Sequence, residues 1–402
     1  MNIITKAACR TFQTVLRLAI PILPYRSPKV LSQVRDIPGV LKEKGISHVL
    51  VVTDGFLHIS GMLEPLKKAL AENGIRCTVY DETVPNPTVW NVEIARERYI
   101  SEGCQGLIGF GGGSAIDCAK AVGARVARPR TTIPQMRGIL KVVKRIPFLI
   151  AVPTTAGTGS ETTLATVITD DKNDHKFPVN DFPLIPRVAV LDPEMTRSLP
   201  PHLTATTGMD ALTHAIEAYI GGSTTRDTRE DALTAAKLIS VNLEKAYRDG
   251  NDMEARGNML RAAFLAGRAF SKSYVGYCHA VAHSLGGKYH IPHGLANAVL
   301  LPYVLEAYGP AIYRKAKDIA IAMGIADAST PEKTAAEDLI AQIRAMNRAM
   351  GIPTKLSGIR TEDIPQLSAF AAREANPLYP VPVLMDAGEL RRFYYDVMEE
   401  QV

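Results

Sequence analysis

The sequence predicts a two-part fold, an α/β N-terminal half followed by an all-α C-terminal half. Three observations predict it. As far as residue 192, short and nearly continuous apolar runs alternate with helical patterns, the signature of an open parallel sheet. Two of those runs end in glycine- or threonine-rich turns. Beyond Pro200–Pro201 every segment carries helical periodicity and no strand pattern follows. At 402 residues the chain can form two or three sizeable cores, and 46% hydrophobic with 22% charged residues excludes both disorder and a membrane bundle.

Residues 1–40 read as a basic extension. Residues 1–35 hold Lys6, Arg10, Arg17, Arg26, Lys29 and Arg35 and no acid. The apolar patch Leu18–Leu23 is broken by Pro21, is too short to span a bilayer and lacks a small-residue cleavage site. An extension packed on the body of a cytoplasmic protein is the first reading; a mitochondrial presequence and a membrane-surface helix remain open beside it. HVLVVTD (48–54) is then a buried strand ending in an acid. Gly61–Asn73 reads as a helix closed by Gly74, Arg76–Tyr80 as a strand, and DETVPNPT (81–88) as a loop stiffened by two prolines. Asn91–Glu102 is helical. Gly106–Phe110 is a third strand, feeding Gly111, Gly112, Gly113 and Ser114 and a helix over Ala115–Ala127. Phe148–Pro153 is a strand followed by the loop TTAGTGSETT (154–163), and Val188–Asp192 closes the sheet. Helices follow near 204–220, 227–249, 252–271, 276–287, 294–323, 331–351 and 387–399.

A formal charge of +5 tolerates anionic ligands, but no basic run with interleaved aromatics marks a nucleic-acid surface. Five scattered cysteines without metal or disulfide spacing suit a reducing compartment.

The chemistry concentrates in two segments of the helical half. Gly276–Asn297 holds four of the nine histidines, His279, His283, His290 and His293, and Gly208–Tyr219 holds Asp210 and His214. Asp210 with His214, and His279 with His283, stand four apart, which puts each pair on one helical face. Gly286–Gly287 are expected to end the second helix. One such pair is more often a solvated face. Two pairs point to one divalent ion in a nitrogen and oxygen shell, and spacing alone selects Asp210, His214, His279 and His283. In the α/β half, GGGS between strand and helix offers bare N–H groups to a pyrophosphate, although it does not fit GxGxxG and is not on the first strand. Asp54 either accepts a ribose hydroxyl, favouring NAD over NADP, or caps a helix. Thr154, Thr155 and Thr158 either bond a cofactor or stabilise their own loop. A dinucleotide on one domain and a metal on the other imply a cleft between them and alcohol oxidation, the ion lowering the alcohol's pKa and holding the alkoxide.

GGGSAIDCAKAVG, PTTAGTGSETT, LDPEMTRSLPPHLTATTGMDALTHAIEAY and HAVAHSLGGKYHIPHGLANAVLLPY, in this order, resemble the iron-containing (group III) alcohol dehydrogenase family over roughly residues 40–385. The resemblance implies a dehydroquinate-synthase-like fold, with an α/β NAD-binding domain over 1–200 and a helical metal-binding domain over 201–402. It implies Asp210, His214, His279 and His293 as ligands of Fe2+, with Zn2+ as the alternative, so His293 replaces His283. His283, with Asp210 and His279, then belongs to the catalytic set as a proton relay or a contact to the nicotinamide. For NAD it implies Asp54, Asn86, Gly112, Gly113, Ser114, Asp117, Thr154, Thr155, Thr163, Lys176, Leu199 and Leu203; for substrate, Phe270 and Ala165. Arg268 and Lys272 depart from the family pattern, and a base there would favour an anionic hydroxy acid, although a surface-pointing Lys272 is the plainer reading. The implied activity is hydride transfer between a small alcohol, or its aldehyde or ketone, and NAD(H), by a homodimer or larger homo-oligomer without a membrane span or nucleic-acid partner. The alternatives are a glycerol or diol dehydrogenase, a hydroxyacid–oxoacid transhydrogenase, a dehydroquinate-synthase-like lyase and, outside enzymes, an NAD-binding scaffold.

Overall fold

A computed structural model describes residues 1–171 and 175–399. Helix α1 (Ile3–Ala19) comes first, and the elements that follow, up to Val190, are β1 (Lys29–Leu31), α2 (Ile37–Glu43), β2 (His48–Val52), α3 (Gly55–Ile59), α4 (Glu64–Glu72), β3 (Arg76–Tyr80), α5 (Val89–Ser101), β4 (Gly106–Gly111), α6 (Gly113–Ala127), β5 (Gly138–Ile139), β6 (Phe148–Pro153), β7 (Ala165–Asp170), β8 (His175–Asn180) and β9 (Val188–Val190). The helices beyond are α7 (Pro201–Ile220), α8 (Arg226–Arg248), α9 (Met253–Ser273), α10 (Tyr277–Tyr289), α11 (His293–Tyr308), α12 (Tyr313–Ala322), α13 (Glu332–Ala349), α14 (Ile364–Ala375) and α15 (Ala387–Val397). Contacts divide the chain into two compact units, Pro24–Leu199 and Met1–Leu23 with the chain from Pro200 onward.

In the first unit six parallel strands run in the order β1-β9-β6-β4-β2-β3. Alternate residues of each strand face opposite cores. Leu50, Val52, Leu107 and Leu149 meet Val92, Ala95 and Ala119 of α5 and α6, whereas Val49, Val51, Ile108 and Ile150 meet Ile37, Leu66 and Leu70 of α2 and α4. Burial on both faces is why these strands read as unbroken apolar runs. The strand order reverses between β2 and β4, and ligands of open α/β sheets bind beyond the carboxyl ends at such a point. Asp54 and the glycine loop follow those two strands.

A small second sheet, β5-β8-β7, with an antiparallel β7–β8 pair, lies where the sequence reading has only loop. Its half-exposed β7 and Pro178 within β8 hide the apolar signal. The strand expected over Val188–Asp192 ends at Val190.

The second unit is helical, with three departures from expectation. Helix α10 does not stop at Gly286–Gly287 but runs to Tyr289, where His290 caps it in the left-handed conformation at φ 56°. The single helix expected over 294–323 is two, α11 and α12, separated at Gly309–Pro310. Helix α14 had no counterpart in the sequence reading. Residues 1–23, counted there with the α/β domain, group with this unit. Cys9 of α1 is buried, Gln13 Nε2 donates to Tyr379 O at 2.8 Å, and Arg10 donates to Val381 O and Pro382 O at 2.7 and 2.8 Å. Among the described residues, no helix is long and apolar enough to cross a membrane.

Candidate metal centre and cofactor loops

Asp210 and His214 lie one turn apart on α7, His279 lies in α10, and His293 opens α11. Their candidate ligand atoms are all within 4.8 Å of one another. From the Asp210 carboxylate it is 3.4 Å to His293 Nε2, 3.8 Å to His279 Nε2 and 4.0 Å to His214 Nδ1. Gly294 explains how His293 reaches the others: a side chain there would collide with the Thr206 backbone, so only glycine lets α11 begin against α7. Asn297, one turn beyond His293, donates from Nδ2 to Asp210 Oδ1 at 2.7 Å and lies 3.1 Å from His293 Nε2. The His293 side chain is 38% exposed while Asp210 is 2% exposed, which opens the cluster on one side only.

The donor set suits a divalent cation. A buried carboxylate facing three imidazoles is a nitrogen and oxygen shell of the kind Fe2+ and Zn2+ accept. His279 Nε2 is buried and makes no hydrogen bond, as a lone pair meant for a metal would be. Burial holds the His279 imidazole well below its ordinary range, and therefore neutral. Its other nitrogen, Nδ1, lies 2.6 Å from Glu217 Oε2. Burial also pushes the Glu217 carboxyl up to about 7, against the pull of the N–H groups of Gly276, Cys278 and His279.

His283 stands outside the quartet of ligand atoms. Its Nδ1 lies 2.6 Å from Glu374 Oε1, to which the Tyr379 hydroxyl also donates at 2.8 Å, and its ring stacks on His293 with centroids 5.1 Å apart. Phe270 stacks on His214 at 4.1 Å. Arg268 is turned to α8, where it forms a two-pronged ion pair with Asp231 and lies over the Phe264 ring. It is therefore not a free base for an anionic substrate. Lys272 is half-buried, and Leu203 stands in the first turn of α7, 37% exposed.

In the α/β unit the loops after β2, β4 and β6 converge. Asp54 caps α3, accepting from Leu57 N at 2.9 Å through Oδ1, while Oδ2 lies 3.9 Å from where a Cβ on Gly111 would stand. A Cβ on Gly113 would meet Thr158 at 3.0 Å and one on Gly112 would meet Thr155 at 3.5 Å, so the glycine and threonine loops touch. Thr154 N donates to Gly111 O at 3.0 Å, and Asn86, at φ 60°, donates from its backbone N to Ser114 Oγ at 3.3 Å. Asp117 accepts from Ser160 Oγ at 2.5 Å and Val167 N at 2.8 Å. Beside it the fully buried Lys120 donates to Thr163 O, Thr163 Oγ1 and Ala165 O at 3.0, 3.0 and 2.7 Å, and burial brings its pKa down to about 8. Lys176, on β8 opposite Thr169, is half-buried, and Leu199 precedes Pro200.

Four residues of this site escaped the sequence reading. Glu217, three beyond His214, continues the helical face of Asp210 and His214, and Asn297 stands one turn from His293, so both left a periodic signal. Lys120, three beyond Asp117, left the same kind of signal. Glu374 left none, because α14 itself was not foreseen.

Residues 31–193 match the family model described as iron-containing alcohol dehydrogenase, and residues 204–395 match that of the C-terminal part of the Fe-containing alcohol dehydrogenase family. Alcohol dehydrogenase 4 of Saccharomyces cerevisiae (strain YJM789) is 39% identical over 360 residues, covering 89% of this chain and 92% of the yeast protein. The NAD-dependent methanol dehydrogenase of Bacillus methanolicus is 38% identical over 340 residues, covering 84% of this chain and 89% of its own length. The crystal structure of a 1,3-propanediol oxidoreductase superposes with a TM-score of 0.89 at 35% identity, covering 92% of this chain and 98% of that one. The chain therefore belongs to the iron-containing alcohol dehydrogenase family, and it is an oxidoreductase acting on alcohols.

Proposed function

We propose that the chain transfers a hydride between a small primary or secondary alcohol, or its aldehyde or ketone, and NAD(H). The observation that carries the reading is the convergence of Asp210, His214, His279 and His293 within 4.8 Å in a chain of this family. These four are the proposed ligands of one Fe2+ or Zn2+, between which availability decides. Such an ion supplies Lewis-acid polarisation of the substrate oxygen.

The chain's own residues do the rest. One carboxylate and three neutral imidazoles leave a divalent site with net positive charge, which favours negative charge on that oxygen. His283 takes the hydroxyl proton at Nε2 and releases one from Nδ1 to Glu374, whose side chain is 34% exposed and opens to water. Phe270, stacked on His214, gives the alkyl part of the substrate an apolar wall. For NAD, Asp54 takes the ribose. The N–H groups of Gly112, Gly113 and Ser114 at the start of α6 take the pyrophosphate. Asn86, Thr154, Thr155, Thr163, Lys176 and Leu199 complete the lining. Asp117 contributes indirectly, by holding the threonine loop through Ser160.

On this reading the unit Pro24–Leu199 binds NAD and the helical unit binds metal. The protein works as a homodimer or larger assembly in a reducing, cytoplasmic setting, in keeping with its five free cysteines. A short diol is the second substrate class, supported by the likeness to 1,3-propanediol oxidoreductase. The test is the metal content of anaerobically purified protein, paired with NADH formation over short alcohols, diols and 2-hydroxy acids. Stoichiometric Fe or Zn with turnover of alcohols or diols is expected. A metal-free, inactive protein that does not recover on adding Fe2+ or Zn2+ would overturn the ligand assignment.

A further inference from the structure

We propose that Glu217 is a positioning residue of the metal centre, fixing His279 as the Nδ1–H tautomer so that the Nε2 lone pair faces the ion; the inference rests on the metal-binding reading above. Glu217 is 3% exposed, and among the described residues no lysine or arginine partners its carboxylate. Both of its oxygens are committed. Oε1 accepts from Cys278 N at 2.8 Å; Oε2 accepts from Gly276 N at 2.9 Å and pairs with His279 Nδ1 at 2.6 Å. Two of these three contacts would be made by any carboxylate that caps the first turn of α10. The third is not needed for capping. It is a short bond to the one ring nitrogen that faces away from Asp210, while Nε2 on the opposite side is the atom 3.8 Å from Asp210.

The backbone is shaped to permit this contact. A Cβ on Gly276 would come within 2.6 Å of Glu217 Oε1, so the entry to α10 is glycine where the carboxylate must pass. Glu217 and His214 also share a face of α7, so one helix supplies two candidate ligands and the group that orients a third. A carboxylate on the remote nitrogen of a ligating histidine fixes the ring and raises its basicity, and its loss typically lowers metal affinity 10–100-fold. The amide of Glu217→Gln inverts the contact: its NH2 can donate to His279 Nδ1, which stabilises the Nε2–H tautomer and puts a proton where the ion should bind.

The experiment is Zn2+ titration of metal-free protein against a chromophoric chelator, for the parent, Glu217→Gln and His279→Ala. It is accompanied by the thermal transition of each metal-free protein and by 15N NMR of the histidine side chains. Glu217→Gln should raise the Zn2+ dissociation constant by about 10–100-fold while leaving the metal-free transition within a few degrees of the parent. The parent's His279 should show the Nδ1–H tautomer and the variant's the Nε2–H tautomer. Parental Zn2+ affinity in Glu217→Gln would reduce Glu217 to a helix cap. If the variant fails to fold, the parent's NMR decides alone: an Nε2–H tautomer in metal-free parent overturns the proposal. A parent that binds no Zn2+, or a His279→Ala variant that binds it as tightly as the parent, would instead overturn the metal reading itself, and this proposal with it.

Discussion

Asp54 caps a helix with one carboxylate oxygen and leaves the other for the ribose contact proposed above. Oδ1 caps α3 through Leu57 N, and Oδ2 remains on the side of Gly111, where the glycine loop turns. Asp54→Ser keeps an oxygen for the cap and removes the charge, so the thermal transition should hold to within a degree or two. The same variant should lose at least about tenfold in discrimination against NADP, the equivalent of about 1.4 kcal/mol. An unchanged ratio of kcat/KM for NAD and NADP would confine Asp54 to capping. Asp117, which the family pattern lists with the cofactor contacts, also accepts from Ser160 and Val167, and a sequence carries no sign of such contacts.

At the level of elements, Gly286 and Gly287 looked like a helix terminus, and the structure carries α10 through both. Glycine pairs stop isolated helices because of their conformational freedom, but packing of Leu285 and Gly286 in the interior outweighs that preference here. Gly287 is exposed, and nothing lies within 4 Å of a Cβ added there. Gly287→Ala should therefore stabilise the helical unit by roughly 0.5–1 kcal/mol, visible as a rise in its unfolding temperature with metal content unchanged. A fall would mean that α10 needs local freedom. Strands β2, β4 and β6 were legible because continuous apolar runs admit little else in an α/β pattern. The β7–β8 hairpin was not, since its alternation is shallow and a proline interrupts it. Asp210, His214 and His279 were legible from helical spacing, but the fourth position was not. Spacing favours His283, one turn from His279, and only the left-handed turn at His290 and the close approach at Gly294 bring His293 forward instead.

For the whole molecule, the chain's first helix belongs with the segment that leads into its last. Gln13 and Arg10 satisfy the carbonyls of Tyr379, Val381 and Pro382, which composition alone could not reveal because both residues read as ordinary surface polars. Removing residues 1–23 uncovers those carbonyls and should lower the unfolding temperature of the helical unit by several degrees, each lost bond being worth about 0.5–1.5 kcal/mol. An unchanged transition would show α1 to be dispensable to the fold.

The position of the Asp210 cluster has a consequence for supply as well as for chemistry. Asn297 and Asp210, in contact at its centre, are 87 residues apart in the chain, so the cluster exists only when α7, α10 and α11 are assembled. A cation that binds the assembled form alone stabilises it by mass action. Metal scarcity would then act first on abundance: an apoprotein whose helices open more often meets proteases more often, and the amount of enzyme in a cell would follow the metal available to it.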